Sequence, residues 1–148
     1  SRWAASARAG PATRRHPGRV ARGFLCGELR DVSTLDAKDI RRAMPRFAPD
    51  AYAANLALLD GYQAIARDVG CTPAQLALAW LLRKAEHIIP IPGTTSVEHL
   101  HDDLGAASVA LGAPVLARLG ALINQHTVVG QRYNPQGTSE VDTEVFAA

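Results

Sequence analysis

The chain has 148 residues and a formal net charge of +2, with 47% hydrophobic and 20% charged residues. That is one domain's worth of polypeptide, able to bury roughly 70% of its unfolded surface, and its near-average composition excludes wholesale disorder. No run of about 18 uncharged apolar residues is present, which excludes a helical membrane span, and two cysteines, Cys26 and Cys71, are too few for a disulfide framework. Neither lies in a Cys-x-x-Cys pair, so a reducing, cytoplasmic setting is expected.

The charge is unevenly spread. Residues 1–22 hold six arginines and no acid, whereas residues 23–148 carry ten Lys+Arg against fourteen Asp+Glu, a net charge of −4. The basic stretch is rich in Ala, Gly and Pro and poor in large aliphatics, so it is expected to be disordered. The same composition also suits a phosphate-binding arm or an organelle transit peptide. A nucleic-acid partner would rest on that arm alone, and the acidic body argues against one. The first residue is Ser rather than Met, which points to a natural beginning further upstream.

From residue 23 the pattern becomes that of a folded chain. Gly23-Phe-Leu-Cys-Gly27 reads as the end of a short strand, and 28–48 as an irregular loop with a helical turn around Asp36–Ala43. Asp50 is placed to cap a helix running to Val69, with Tyr52, Leu56, Leu59, Ile65, Ala66 and Val69 on one side and Gly70 as its left-handed stop. Thr72-Pro73-Ala74-Gln75 is a stronger start signal, combining a cap, a Pro in the first turn and a Gln three residues on. The helix it opens, to Ala85, is apolar nearly all round and should be buried on several sides. His87 to Gly93 predicts a buried strand with Pro near its end. Ser96 then caps a helix to Ala107, a last helix spans Pro114 to Asn124, and 127–148 read as a surface-hugging tail. Strands separated by helices predict a parallel α/β arrangement.

Chemistry concentrates where the second strand-like run meets the third helix. Gly93-Thr94-Thr95-Ser96 opens directly into that helix, whose first amides lack internal partners and carry the positive end of the dipole. With three hydroxyls beside them they make a phosphate cradle; an ordinary turn with Ser as a cap is the alternative. His99 faces either a bound anion or solvent. The spacing of His99, Asp102 and Asp103 resembles a metal-ligand set, but charged helix faces look like this by default and no metal is expected. Cys26 has no basic neighbour in sequence to lower its pKa, so a catalytic thiolate is not expected.

Taken together, Gly23–Gly27, the run from Thr72 to Leu82, Ile89–Thr94 and Gly130-Gln-Arg-Tyr133 resemble the aldo-keto reductases, closest to the group related to potassium-channel β subunits. The likeness covers about residues 21–148. It implies the C-terminal portion of a (β/α)8 TIM barrel: α/β, helix-rich and incomplete, since a full barrel takes about 250 residues. It also implies NADPH as cofactor and a small-molecule carbonyl as the substrate of the complete enzyme. By that resemblance Gly23 and Leu25 cover the pyrophosphate, and Gly93, Thr94, Thr95 and Ser96 approach the adenosine 2′-phosphate. His99 takes the place of another polar contact to it, and Asp102 and Asp103 hold the ribose and adenine.

The family's Tyr, Lys, Asp and His catalytic set is not matched here: Tyr52, Tyr62, Tyr133, Lys38 and Lys84 lie in no corresponding motif, so this chain alone is expected to be inactive. Two departures place negative charge beside an anionic ligand, Asp103 where the family has Asn and Glu28 where it often has Lys or Arg. Family character is lost upstream of Ala21. That break suggests either out-of-frame translation ahead of a genuine reading frame or a truncation scar over residues 1–20. The alternative to a reductase segment is a non-catalytic interaction module, because unpaired strand edges invite self-association.

Overall fold

Pro49 opens the longest helix, α1 (Pro49–Val69), and Ala48 rather than Asp50 is its cap. Proline sets the first-turn φ and has no N–H to leave unsatisfied, so the helix starts there and Asp50 falls in the first turn, where its charge favours the dipole. Gly70 stops it at φ 77°. The Gly70 amide bonds back to the Arg67 carbonyl and the Cys71 amide to the Ala66 carbonyl, a paired closure that needs a left-handed residue. The computed structural model describes residues 21–140; the basic segment up to residue 20 and the last eight residues lie outside it.

Helix α2 (Pro73–Lys84) starts with the anticipated capping box: Thr72 Oγ1 accepts the Gln75 amide and Gln75 Oε1 accepts the Thr72 amide, each at 3.1 Å. Its first half is buried at Ala74, Leu76, Ala77, Leu78 and Ala79, as its continuous apolar sequence predicts. Its end is wetter, with Leu82 exposed and Lys84 lying over the Trp80 ring. α3 (Val97–Gly105) is capped by Ser96 and tightens into a 3-10 turn at Ala106–Ser108. α4 (Ala113–Leu122) packs on α1, and a short α5 (Pro135–Ser139) interrupts the expected tail.

The core gathers around Leu59, Tyr62, Ile65 and Ala66 of α1, Leu76, Ala77 and Ala79 of α2, and Leu111 and Leu119. Gly61 lets α4 approach closely, since a Cβ there would stand 3.0 Å from Leu122 Cδ1. A second, aromatic cluster holds the front of α1. Phe47 stacks on Tyr52 at 5.5 Å, Phe24 meets the same ring edge-on at 5.7 Å, and the Tyr52 hydroxyl donates to the Leu29 carbonyl. Buried Asn55 clamps the later chain, its Nδ2 donating to the Val129 carbonyl at 2.9 Å and its Oδ1 accepting the Val129 amide at 2.8 Å.

Both predicted strands fail to form, and the described residues contain no strand at all. Around Gly23–Gly27 the chain turns twice, with Phe24 N–H bonding to the Ala21 carbonyl and Gly27 N–H to the Phe24 carbonyl. Left-handed φ values at Ala21, Arg22 and Gly23 bend it away from the extended form a strand needs. At residues 87–93 the chain lies without a ladder partner among the described residues, and Pro90 and Pro92 remove two of its donors. Ile89 is therefore 81% exposed and Ile91 66% exposed, not buried. The α/β expectation is corrected to helices and turns over residues 21–140. Within 28–48, three 3-10 turns replace the irregular loop, and the one at Ile40–Ala43 meets the expected helical turn.

Candidate functional site

A cleft of about 430 Å³ opens between the start of α2, the exposed side of α3 and the turn after Phe24. Cys26 and Glu28 form one wall, Thr72, Pro73 and Ala74 the floor at the α2 N-terminus, and Glu98, His99 and Asp102 the α3 wall. Glu98 and Asp102 are four apart and so share a face of the helix. Among the described residues three carboxylates and one imidazole thus surround the opening, and neither Lys nor Arg lines it.

The capping box extends across to α3. Thr72 Oγ1, while accepting the Gln75 amide, donates to the Asp102 carboxylate, at 3.0 Å from Oδ2 and 3.1 Å from Oδ1. Gln75 Nε2 donates to the Asp102 carbonyl at 3.1 Å. One helix start therefore fixes the position of the other, and Asp102 is held at the cleft by both its side chain and its backbone. Its charge also reaches Cys71, whose thiol is pushed up first by burial and then by that carboxylate.

Among the residues expected from sequence to meet a cofactor, the cleft gathers His99 and Asp102. Gly23, at φ 85°, and Leu25 lie just before Cys26; Leu25 packs against the core. Gly93 and Thr95 are exposed at the approach to α3. Thr94 Oγ1 accepts the Ser96 amide at 3.1 Å, and Ser96 Oγ accepts the His99 amide at 3.3 Å, so both hydroxyls shape the helix start. Asp103 is 6% exposed and faces inward. Glu98 and the Thr72 link were not singled out from sequence as site features. The Thr72–Gln75 box is local and legible, but its bonds to Asp102 span thirty residues and leave no local signature.

The tyrosines serve structure. Tyr62 donates its hydroxyl to the Pro73 carbonyl at 2.7 Å, and burial pushes its pKa up. The Tyr133 ring is met by the guanidiniums of Arg22 and Arg132, at 5.4 and 5.3 Å from its centre. Among the described residues no group of three or more His, Cys, Asp or Glu is set to hold a metal ion, and no helix is long and apolar enough to cross a membrane.

Comparison with known proteins places these segments in one lineage. The aldo/keto reductase family model matches residues 18–124, and the chain belongs to that family. It is 34% identical over 122 residues to aldo-keto reductase yakc, marked NADP(+), of Schizosaccharomyces pombe, covering 82% of this chain and 36% of that protein. It is 29% identical over 124 residues to aldo-keto reductase str7 of Strobilurus tenacellus, covering 84% of this chain and 37% of that one. The chain thus spans little more than a third of the curated relatives it matches. The barrel that membership implies is represented over residues 21–140 by helices and turns.

Proposed function

We propose that these residues are the cofactor-side segment of an aldo-keto reductase, binding the adenosine end of a nicotinamide dinucleotide in the cleft between α2 and α3. The complete enzyme, on this reading, reduces a small carbonyl compound by hydride transfer from NADPH, the cofactor form carried in the name of the fission-yeast relative. The observation that carries the proposal is the convergence of two segments about seventy residues apart, Cys26–Glu28 and Glu98–Asp102, on one cleft. Asp102, held by Thr72 and Gln75, is the fixed acceptor for ribose hydroxyls or the adenine amine. Gly93 to Ser96 and the start of α3 lie beside it, where helix amides favour an anion. Gly23 and Leu25 approach the pyrophosphate, and Asp103 supports α3 from within.

The acid catalyst is assigned to polypeptide outside these residues, since the Tyr52 and Tyr62 hydroxyls both donate to backbone carbonyls and Lys84 lies over Trp80. The fit to NADPH is uneven: among the described residues the cleft offers acceptors suited to adenosine but no Lys or Arg for a 2′-phosphate. Titrating the purified chain with NADPH while following nicotinamide fluorescence, then adding an aldehyde, tests both halves of the assignment. Saturable binding without turnover is expected. Turnover overturns the placement of the catalyst elsewhere, and absence of saturable binding overturns the cofactor role.

A second reading is favoured by one observation: Ile89, Ile91, Val97, Leu100 and Leu104 are all exposed. As an interaction module the chain would use that surface to self-associate or recruit another chain. Sedimentation of the purified chain over a range of concentrations distinguishes a monomer from such an assembly.

A further inference from the structure

We infer that the cleft selects an adenosine whose ribose 2′-hydroxyl is free over one carrying a 2′-phosphate. This rests on the adenosine-binding part of the reading above and replaces the NADPH named there, the form that the relative's name carries, with the unphosphorylated dinucleotide. Glu28, Glu98 and Asp102 approach the cleft from two walls, and His99 is the one basic side chain among its lining residues. A carboxylate accepts a hydrogen bond from a ribose hydroxyl, which is how acidic residues recognise the unphosphorylated ribose in other dinucleotide folds. A phosphate dianion in the same place donates nothing and meets like charge.

The local geometry offers little to offset that repulsion. Asp102 is fixed at the cleft by the Thr72 hydroxyl and the Gln75 amide, so it does not swing away readily. The nearest hydroxyls of the α3 turn, Thr94 and Ser96, are oriented by the backbone amides they accept, from Ser96 and His99, and each can give a phosphate only one neutral O–H and no positive charge. Arg30, close to Glu28 in sequence, is drawn to Asp60 and Gln63 on α1. Like-charge contacts of this kind at near-aqueous dielectric disfavour the phosphorylated ligand by on the order of tenfold.

Calorimetric titration of the 148-residue chain with 5′-AMP and with adenosine 2′,5′-bisphosphate at about 0.01 M ionic strength reads the difference without any turnover. The expected result is a Kd for 5′-AMP roughly tenfold below that for the bisphosphate, a gap that closes as salt is raised toward 1 M. Glu28→Lys and Glu98→Lys change exposed side chains, so they leave the fold intact. Each should tighten the bisphosphate by a larger factor than 5′-AMP, because the bisphosphate carries the extra phosphate, and so narrow or reverse the gap. Equal affinities, tighter bisphosphate binding, or a gap indifferent to salt and to both variants overturns the inference while the adenosine site stands. Binding of neither nucleotide overturns the cofactor-side reading and the inference with it.

Discussion

The α1–α2–α4 bundle and the stretch from His87 to Leu104 handle apolar residues in opposite ways. In the bundle Leu59 and Leu76 are fully buried, and Ile65, Ala66 and Leu119 close around them. Along the second stretch Ile89, Ile91, Val97, Leu100 and Leu104 all face outward. The second stretch is the less apolar in sequence, but its six apolar residues are all Ile, Val or Leu, as large as those of the bundle, so size does not explain their exposure. What separates them is whether the chain brings a partner surface within reach. Three helices satisfy their own backbones and need only side-chain contacts from one another. An extended segment needs a neighbouring strand for its amides and carbonyls, and among the described residues 87–93 has none.

Truncation in the core is the strongest way to expose that difference. Leu59→Ala or Leu76→Ala removes a fully buried side chain and should cost about 3 kcal/mol, read from the midpoint of urea denaturation. Ile91→Ala, an identical kind of truncation on an exposed site, should cost no more than about 0.5 kcal/mol. Comparable losses at Leu59 and Ile91 would show that the extended stretch is packed in solution, and the contrast between the regions would fall.

A smaller effect comes from the polar clamp at the front of α1. Asp39 binds buried Arg41 through both carboxylate oxygens, at 3.0 Å to Nε and 2.7 Å to Nη2, and its Oδ1 also accepts the Arg41 amide. Those bonds hold the Asp39 carboxyl below its ordinary value of 3.8. A depressed carboxylate contributes stability that is fully present above the unfolded-state pKa and is lost as pH falls through the folded one. Thermal stability should therefore drop as the solution is acidified below about pH 4. Asp39→Ala leaves Arg41 buried without this partner and should cost about 2 kcal/mol at pH 7, while flattening the acid limb. An acid limb unchanged in the variant would assign it to other carboxylates.

Thr72→Ala probes the link between the bundle and the cleft. It removes the acceptor for the Gln75 amide and the donor to Asp102, so about 1 kcal/mol of stability should be lost with the cap. Nucleotide affinity should fall as well, because Asp102 loses its side-chain anchor. A loss of stability with affinity unchanged would mean that the Gln75 bond to the Asp102 backbone suffices to hold the cleft.

Legibility in the sequence followed the range of the interactions. The ends of α1, α2 and α3 could be read to within a few residues because Gly70, Thr72, Pro73 and Ser96 act on their immediate neighbours. The cap of α1 lies at Ala48, two residues before the expected Asp50, because Pro49 takes the first turn. The buried strand was misread because Ile88-Ile-Pro-Ile encodes a preference for the extended form, whereas burial depends on a partner that local pattern does not specify. His99 is legible as a site candidate through the turn that opens α3, and Asp102 only through the family resemblance. Glu98 stands in the first turn of α3, where a carboxylate suits the dipole, and only the approach of the 26–28 turn makes it part of a cleft wall.

Charging the exposed stretch should have the smallest effect on stability and the most selective effect on association. Ile89→Lys combined with Ile91→Lys places two cations on side chains that are already solvent-facing, so the denaturation midpoint should move by no more than about 0.5 kcal/mol equivalent. If unpaired extended backbone and apolar side chains drive self-association, the wild-type chain should sediment as a mixture that grows with concentration, and the double variant should shift toward monomer. Lysine at an edge opposes strand addition by repulsion between copies while leaving the helices untouched, so nucleotide binding in the cleft should persist. Loss of binding together with association would instead make the assembled state part of the site.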